Sequence, residues 1–213
     1  MAEKRRQTDR RKVEDAGSPP DSELRALNCE QLAWRSQQGS QAAFAELVNR
    51  YGSRLQQFLS HRMPTVQDAE DLVQDTFVRA YENIHLYNAR WKFSTWLFTI
   101  ARRLASSHYR RPRPLPVTAE IPNTAADPAD LAVARENSRN IWTLAGTLPE
   151  NQFRALWLRY VEQMSIRQIA RVLGKSQVSA KVLLYRARVN LGDRLKKQPR
   201  IAIPQQENDT NTL

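Results

Sequence analysis

Apolar residues recur at intervals of three and four along most of this chain, the spacing that puts one side of a helix against a core. Between Gln67 and Ile84, Ala69, Leu72, Val73, Phe77, Ala80 and Ile84 form such a stripe. Asp68, Asp71, Asp75 and Glu82 stand three, four and seven apart on the other side, which predicts an acidic exposed face. Two readings of that face are open. Acidic residues near a helix start complement the helix dipole, which covers Asp68, Glu70 and Asp71. A stripe that continues to Asp75 and Glu82 also suits docking on a basic protein partner.

The same periodicity orders the rest of the chain. Leu24, Leu27, Leu32 and Trp34 predict a short helix from Ser22 to Gln37, closed by Gly39. Ser40 then reads as the N-cap of a helix carrying Phe44, Leu47, Val48, Tyr51, Leu55, Phe58 and Leu59, ending before Pro64. After the acidic helix, HLYNARWK breaks the pattern, and Phe93, Trp96, Leu97, Ile100, Ala101 and Leu104 restart it. Residues 111–130 hold five prolines and no apolar period, so they predict an extended linker. Periodicity resumes at Leu131, and Thr147 and Glu150 flank Pro149 as a capping box before Phe153, Leu156, Trp157 and Tyr160.

Met164 to Arg188 has the sharpest local pattern. Ser165 with Gln168 makes another capping box, Ile166, Ile169, Ala170 and Leu173 face inward, Gly174 turns the chain and Ser176 caps the next helix. Helix, glycine turn and capped helix on a basic background predict a helix-turn-helix that offers Gln177, Ser179, Lys181 and Arg186 to a DNA groove. The predicted fold is therefore all-α: two small helical domains, residues 22–111 and 131–195, joined by the 112–130 linker. Residues 1–21 and 196–213 are too polar to offset the entropy of ordering and are expected to be disordered.

Composition narrows the partners. A formal charge of +11 over 213 residues points to a polyanion, most simply nucleic acid, with an anionic membrane surface as the competing explanation. Tyr87, Trp91, Phe93, Trp96 and Phe98 alternate with Arg90, Lys92, Arg102 and Arg103, the mixture of stacking faces and phosphate partners that single-stranded nucleic acid requires, while Phe93 and Trp96 also read as core, a reading that suits Trp96 better than Trp91. No apolar run reaches a spanning length and the N-terminus has no secretory pattern, so a cytoplasmic protein is expected. Cys29 is alone, and His61, His85 and His108 form no ligand or triad spacing. No metal, cofactor or catalytic chemistry is expected, and six scattered glycines make no phosphate-cradling loop.

In order and content these parts resemble the extracytoplasmic-function group of the sigma-70 family, the sigma factors of bacterial RNA polymerase. The resemblance rests on AEDLVQDTFVRAY at Ala69 to Tyr81, FSTWLFTIARRLA at Phe93 to Ala105, and LPENQFRALWLRYVEQMSIRQIARVLG at Leu148 to Gly174. It implies a protein that binds core RNA polymerase and directs promoter recognition, melting and initiation. Asp68, Asp71, Gln74 and Asp75 match the polymerase-binding positions. Tyr87, Asn88, Trp91, Lys92, Phe93, Arg102, Arg103 and Arg110 match those for the minus-ten element and its melted strand. For the minus-thirty-five element the candidates are Arg167, Lys175, Ser176, Gln177, Ser179, Lys181 and Arg186. An anti-sigma factor is a further candidate partner. Two departures stand out. Arg103 and Ser107 occupy positions where the family commonly has Asn and Asp, and Val178, Val182 and Leu183 stand where small, polar or basic residues are usual. The alternative is a helix-turn-helix regulator that acts on DNA without polymerase.

Overall fold

The computed structural model describes residues 21–61, 63, 65–108 and 141–197, and every regular element among them is helical. The expected linker, residues 1–20, 131–140 and 198–213 and Arg110 lie outside the described residues, whereas Asp21, Lys196 and Lys197, expected to be disordered, belong to helices. The first group of helices comprises α1 (Asp21–Ala26), α2 (Cys29–Gln37), α3 (Gln41–Ser60), α4 (Val66–Glu82) and α5 (Phe93–His108). The second comprises residues 141–145, α6 (Glu150–Tyr160), α7 (Ile166–Leu173) and α8 (Gln177–Lys197).

Where one helix was expected from Ser22 to Gln37, there are two. Asn28 accepts the Gln31 N–H at 2.8 Å, and the Gln31 side chain accepts the Asn28 N–H at 2.9 Å. That reciprocal cap starts α2 afresh. The Arg50 guanidinium, reaching from α3, donates to the carbonyls of Leu27 at 2.7 Å and Arg25 at 2.9 Å. It thereby satisfies acceptors that the end of α1 leaves over.

α3 is the pillar of the first group, packing on α2, α4 and α5. Ser40 caps it as expected, accepting the Ala43 N–H. Its Leu47, Leu55 and Phe58 are fully buried, and Phe58 meets Phe98 of α5 edge to face at 4.9 Å. Burying each such side chain contributes about 1.5–3 kcal/mol. Leu47→Ala would therefore be among the costliest changes here.

In the second group, the expected cap around Pro149 is not made. Pro149 itself takes the N-cap position of α6, and Thr147 donates to Leu144 O at 2.7 Å. Glu150, displaced to the first helical residue, pairs with Arg154 at 2.6 Å. Proline fixes the entry angle without needing a donor, so the helix starts two residues later than a Thr cap would place it. The Ser165–Gln168 box forms as expected. Gly174 has φ +62° and ψ +40°, the left-handed turn that ends α7, and Ser176 accepts the Ser179 N–H at 3.1 Å to begin α8.

The two groups pack against each other, chiefly through α5 and α7. His61 stacks on Phe153 at 3.7 Å, and Arg154 lies over Phe58 at 5.4 Å. Arg54 of α3 makes a two-pronged pair with Glu162, at 3.0 and 2.7 Å. Burial pushes the Glu162 carboxyl up, and Arg54 offsets only part of that.

Candidate interaction surfaces

The acidic face belongs to α4, which Thr65 caps by accepting the Asp68 N–H at 3.0 Å. The Thr65 hydroxyl in turn donates to the Asp68 carboxylate at 2.8 Å, and His108 Nε2 lies 3.8 Å from its other oxygen. Asp68 is only 9% exposed. Contrary to the expectation of an exposed docking residue, it is part of the helix cap, because the third position of a capped helix points back at its own start. Asp71, Gln74, Asp75 and Glu82 are exposed. Val78 falls among them, 55% exposed, and puts an apolar contact inside the acidic stripe. The spacing of seven from Asp71 would have found it.

Beyond α4 the chain makes a 3-10 turn at Ile84–Leu86. The Gln37 amide donates to the carbonyls of Ile84 at 2.9 Å and Tyr87 at 2.8 Å, pinning the loop to α2. Tyr87 is 6% exposed, and its hydroxyl donates to Trp91 O at 2.8 Å. Desolvation pushes that phenol up, so it stays a donor. Phe93 is fully buried and packs on Tyr51, Tyr87 and Trp96, with centroids 5.6–5.7 Å apart. Glu30 accepts the Phe93 N–H at 3.2 Å, supplying an anionic partner at the start of α5. Tyr87 and Phe93 are thus the foundation of the loop and offer no open ring to a base. The apolar period beginning at Phe93 already marked that ring as core, whereas Tyr87, in the aperiodic connection, carries no such mark.

Asn88, Arg90 and Lys92 are exposed, with Asn88 Oδ1 accepting the Arg90 N–H at 2.9 Å to hold the turn. Leu86, 65% exposed in the aperiodic connection, places an apolar side chain at the rim that no sequence period marks. Trp91 is half-buried, and its neighbours come from the second group of helices. The guanidiniums of Arg167 and Arg171 of α7 lie 5.0 and 4.1 Å from its ring centroid. On α5, Arg103 and Ser107 face solvent. Arg102 is half-buried against the α7–α8 turn, where a Cβ on Gly174 would come within 3.2 Å of its Nη2. Burial and the neighbouring Arg103 charge hold Arg102 below the ordinary arginine range.

On the helix-turn-helix, Lys175, Ser176, Gln177, Ser179, Lys181 and Arg186 are all exposed. The Ser176 hydroxyl is committed to the cap and to Ser179, 2.9 Å away. Val178 at 71%, Val182 at 42% and Tyr185 at 63% exposure line the same side of α8, whereas Leu183 packs on the core. Tyr185 was not singled out from sequence, although it lies three and seven residues beyond Val182 and Val178. The arrangement offers one acidic face, one basic loop and helix, and one basic recognition helix carrying apolar contacts. Among the described residues no group of His, Cys, Asp and Glu could hold a metal, and no helix is long and apolar enough to cross a membrane.

Known proteins share both the sequence and this arrangement. The sigma-70 region 2 family matches residues 47–114, and the sigma-70 region 4 family matches residues 138–191. The ECF RNA polymerase sigma factor SigW of Bacillus subtilis is 31% identical over 171 residues, spanning 74% of this chain and 91% of SigW. The ECF RNA polymerase sigma-E factor of Escherichia coli is 28% identical over 178 residues, spanning 78% of this chain and 93% of the relative. Among solved structures, CnrH bound to the cytosolic domain of CnrY is similar at a TM-score of 0.57 and 26% identity, over 80% of this chain and 98% of CnrH. The sigma factor RpoE of Bartonella quintana, solved with the anti-sigma factor NepR, superposes at 0.58 with 23% identity, over 73% of this chain and 98% of RpoE, a likeness of fold.

Proposed function

The chain belongs to the ECF RNA polymerase sigma factors, and on that premise we propose how its surfaces divide the work of bringing core RNA polymerase to a promoter. The observation that carries the reading is the similarity to SigW along 91% of that relative's length, through both helical groups. A regulator acting on DNA alone would need only the second group.

Asp71, Gln74 and Asp75, with Val78 among them, form the polymerase-docking face: carboxylates steer a basic partner in, and the valine adds a desolvated contact. Asn88, Trp91 and Lys92 receive the melted strand, with Arg102, Arg103 and Arg110 holding its phosphates. A base taken out of the stack costs a few kcal/mol, and enclosure against Trp91 offsets that cost. Tyr87 and Phe93 act one step back, keeping Trp91 in place through the hydroxyl bond and the aromatic cluster.

α8 enters duplex DNA upstream, at the minus-thirty-five element. Gln177 at its start is the residue suited to paired hydrogen bonds with a base edge, whereas Lys175, Lys181, Arg167 and Arg186 anchor phosphates. Val178, Val182 and Tyr185 touch thymine methyls or sugar without discriminating strongly, so upstream readout is tolerant. The protein works in the cytoplasm, where transcription is, and it has no catalytic chemistry of its own. An anti-sigma factor, as in the RpoE complex, is a partner suited to the same helices.

Run-off transcription with purified core polymerase tests the whole reading. New start sites that depend on this chain are expected, and their absence on any template in a genomic pool would overturn it.

A further inference from the structure

One of the apolar positions that predicted the first helix does not turn inward. The helical period counts Trp34 with Leu24 and Leu32, and those two are buried, whereas Trp34 is 60% exposed. A ring of that size left in water forgoes the stabilisation that burial gives a tryptophan. We propose that Trp34 is a second stacking platform for the melted strand, taking an unpaired base a few nucleotides away from the one at Trp91. The inference rests on the function proposed above.

The hydrogen bonds of α2 place the ring beside the strand-capturing loop. Helical residues three and four apart are neighbours on one face, so Glu30, Trp34 and Gln37 share one side of α2. Both companions of Trp34 hold the loop. The Glu30 carboxylate accepts the Phe93 N–H at 3.2 Å, where the loop ends. The Gln37 amide donates to the carbonyls of Ile84 at 2.9 Å and Tyr87 at 2.8 Å, where it begins. The connection is therefore tied to α2 at both ends, with Trp34 between the two ties and exposed to solvent. Leu86, 65% exposed, belongs to the segment between the two carbonyls that Gln37 holds.

Spacing then sets how far along the strand the second base lies. Four residues of helix separate Glu30 from Trp34, about 6 Å along the axis. Two residues of chain separate Phe93 from Trp91, about 7 Å at most. A single strand advances about 3.4 Å per nucleotide when stacked and further when drawn out, so a few nucleotides reach from one indole to the other.

The surroundings of Trp34 suit a base better than a protein. A docked protein wants a contiguous apolar patch with a dry centre. Here the exposed residues one turn to either side are the amides Gln31 and Gln38, and the adjoining loop exposes Arg90 and Lys92. A single flat ring edged by polar groups, with cations close by for the phosphates, is the arrangement on which one unpaired base stacks. Every base has a stacking face, so the site adds affinity for open strand rather than sequence preference.

Scanning with 2-aminopurine, a base whose fluorescence is quenched by stacking, tests this. The probe is premelted promoter DNA from a start site mapped by run-off transcription, labelled at successive positions of the strand that the loop captures. With core polymerase and the wild-type chain, quenching is expected at two separate positions. Trp91→Ala should relieve only the first, Trp34→Ala only the second, and Trp34→Phe should leave both quenched. Trp34→Ala should also weaken binding of premelted DNA on the order of tenfold while hardly changing binding of closed duplex. Trp34→Gln removes the ring and keeps a helix-forming residue, and it replaces the alanine variant if that one loses its native circular dichroism. Relief by Trp91→Ala but at no position by Trp34→Ala would overturn the inference, as would a weaker pull-down of core polymerase by Trp34→Ala, which would give the ring to a protein interface. If neither alanine variant relieves quenching anywhere, or no start site exists, the function reading fails and takes this inference with it.

Discussion

The acidic face of α4 and the basic surfaces around Trp91 are built alike, from charged side chains on helices packed to a shared core, yet they differ in what covers them. Asp71, Gln74 and Asp75 stand open to solvent, whereas Trp91 and Arg102 are half-buried against the second group of helices. The face proposed for polymerase docking is open to solvent, and the ring proposed for strand capture is partly covered.

Replacing Tyr87 blurs the comparison most, because Tyr87 supports the loop from inside. Tyr87→Ala should cost about 3–5 kcal/mol of stability, as large aromatic deletions in cores do. A fall in the thermal midpoint of the first group would accompany it. Trp91→Ala should leave that midpoint nearly unchanged and instead cost about 1–3 kcal/mol in open-complex formation. Equal midpoints for the two variants would mean that Tyr87 is no foundation.

On the open face, Asp71→Lys with Asp75→Lys should weaken core binding by about 2–5 kcal/mol while circular dichroism stays native. Asp68→Ala sharpens the contrast within the same stripe. It should cost about 1 kcal/mol of stability through the lost cap and hardly change docking. Pull-down and melting of both variants side by side would separate a face from a cap.

The smallest effect concerns pH. Glu162, facing Arg54 with Tyr51 behind it, has its carboxyl pushed up by burial. A carboxyl raised on folding favours the folded chain most below its ordinary range, and that advantage is lost as pH rises through the raised value. Denaturant stability of the wild type relative to Glu162→Gln should therefore decline as pH climbs from about 4.5 toward neutrality. A difference that grows with pH would mean that Arg54 outweighs desolvation.

Much of the architecture was legible in the sequence because periodicity and capping are local. Ser40, Ser165 with Gln168, Gly174 and Ser176 each occupy the position their chemistry implied. The misplacements share a cause. Pro149 and Asn28 override the expected helix boundaries by competing local caps. Asp68 and Tyr87 have the right residue types for exposed roles, but the Thr65 cap and the Gln37 and Trp91 contacts turn them inward. Arg171 went unnoticed because its partner Trp91 lies eighty residues earlier in the chain. Contacts across that separation leave no periodic trace.

On the proposed function, the open acidic face brings in the polymerase and strand capture at Trp91 depends on it. Permanganate reactivity of thymines at the start site, read with core polymerase and either the wild-type chain or the Asp71→Lys, Asp75→Lys variant, tests it most directly. Reactive thymines are expected with wild type and core together, and none with the variant or with the chain alone. Reactive thymines without polymerase, or undiminished opening by the variant, would contradict it.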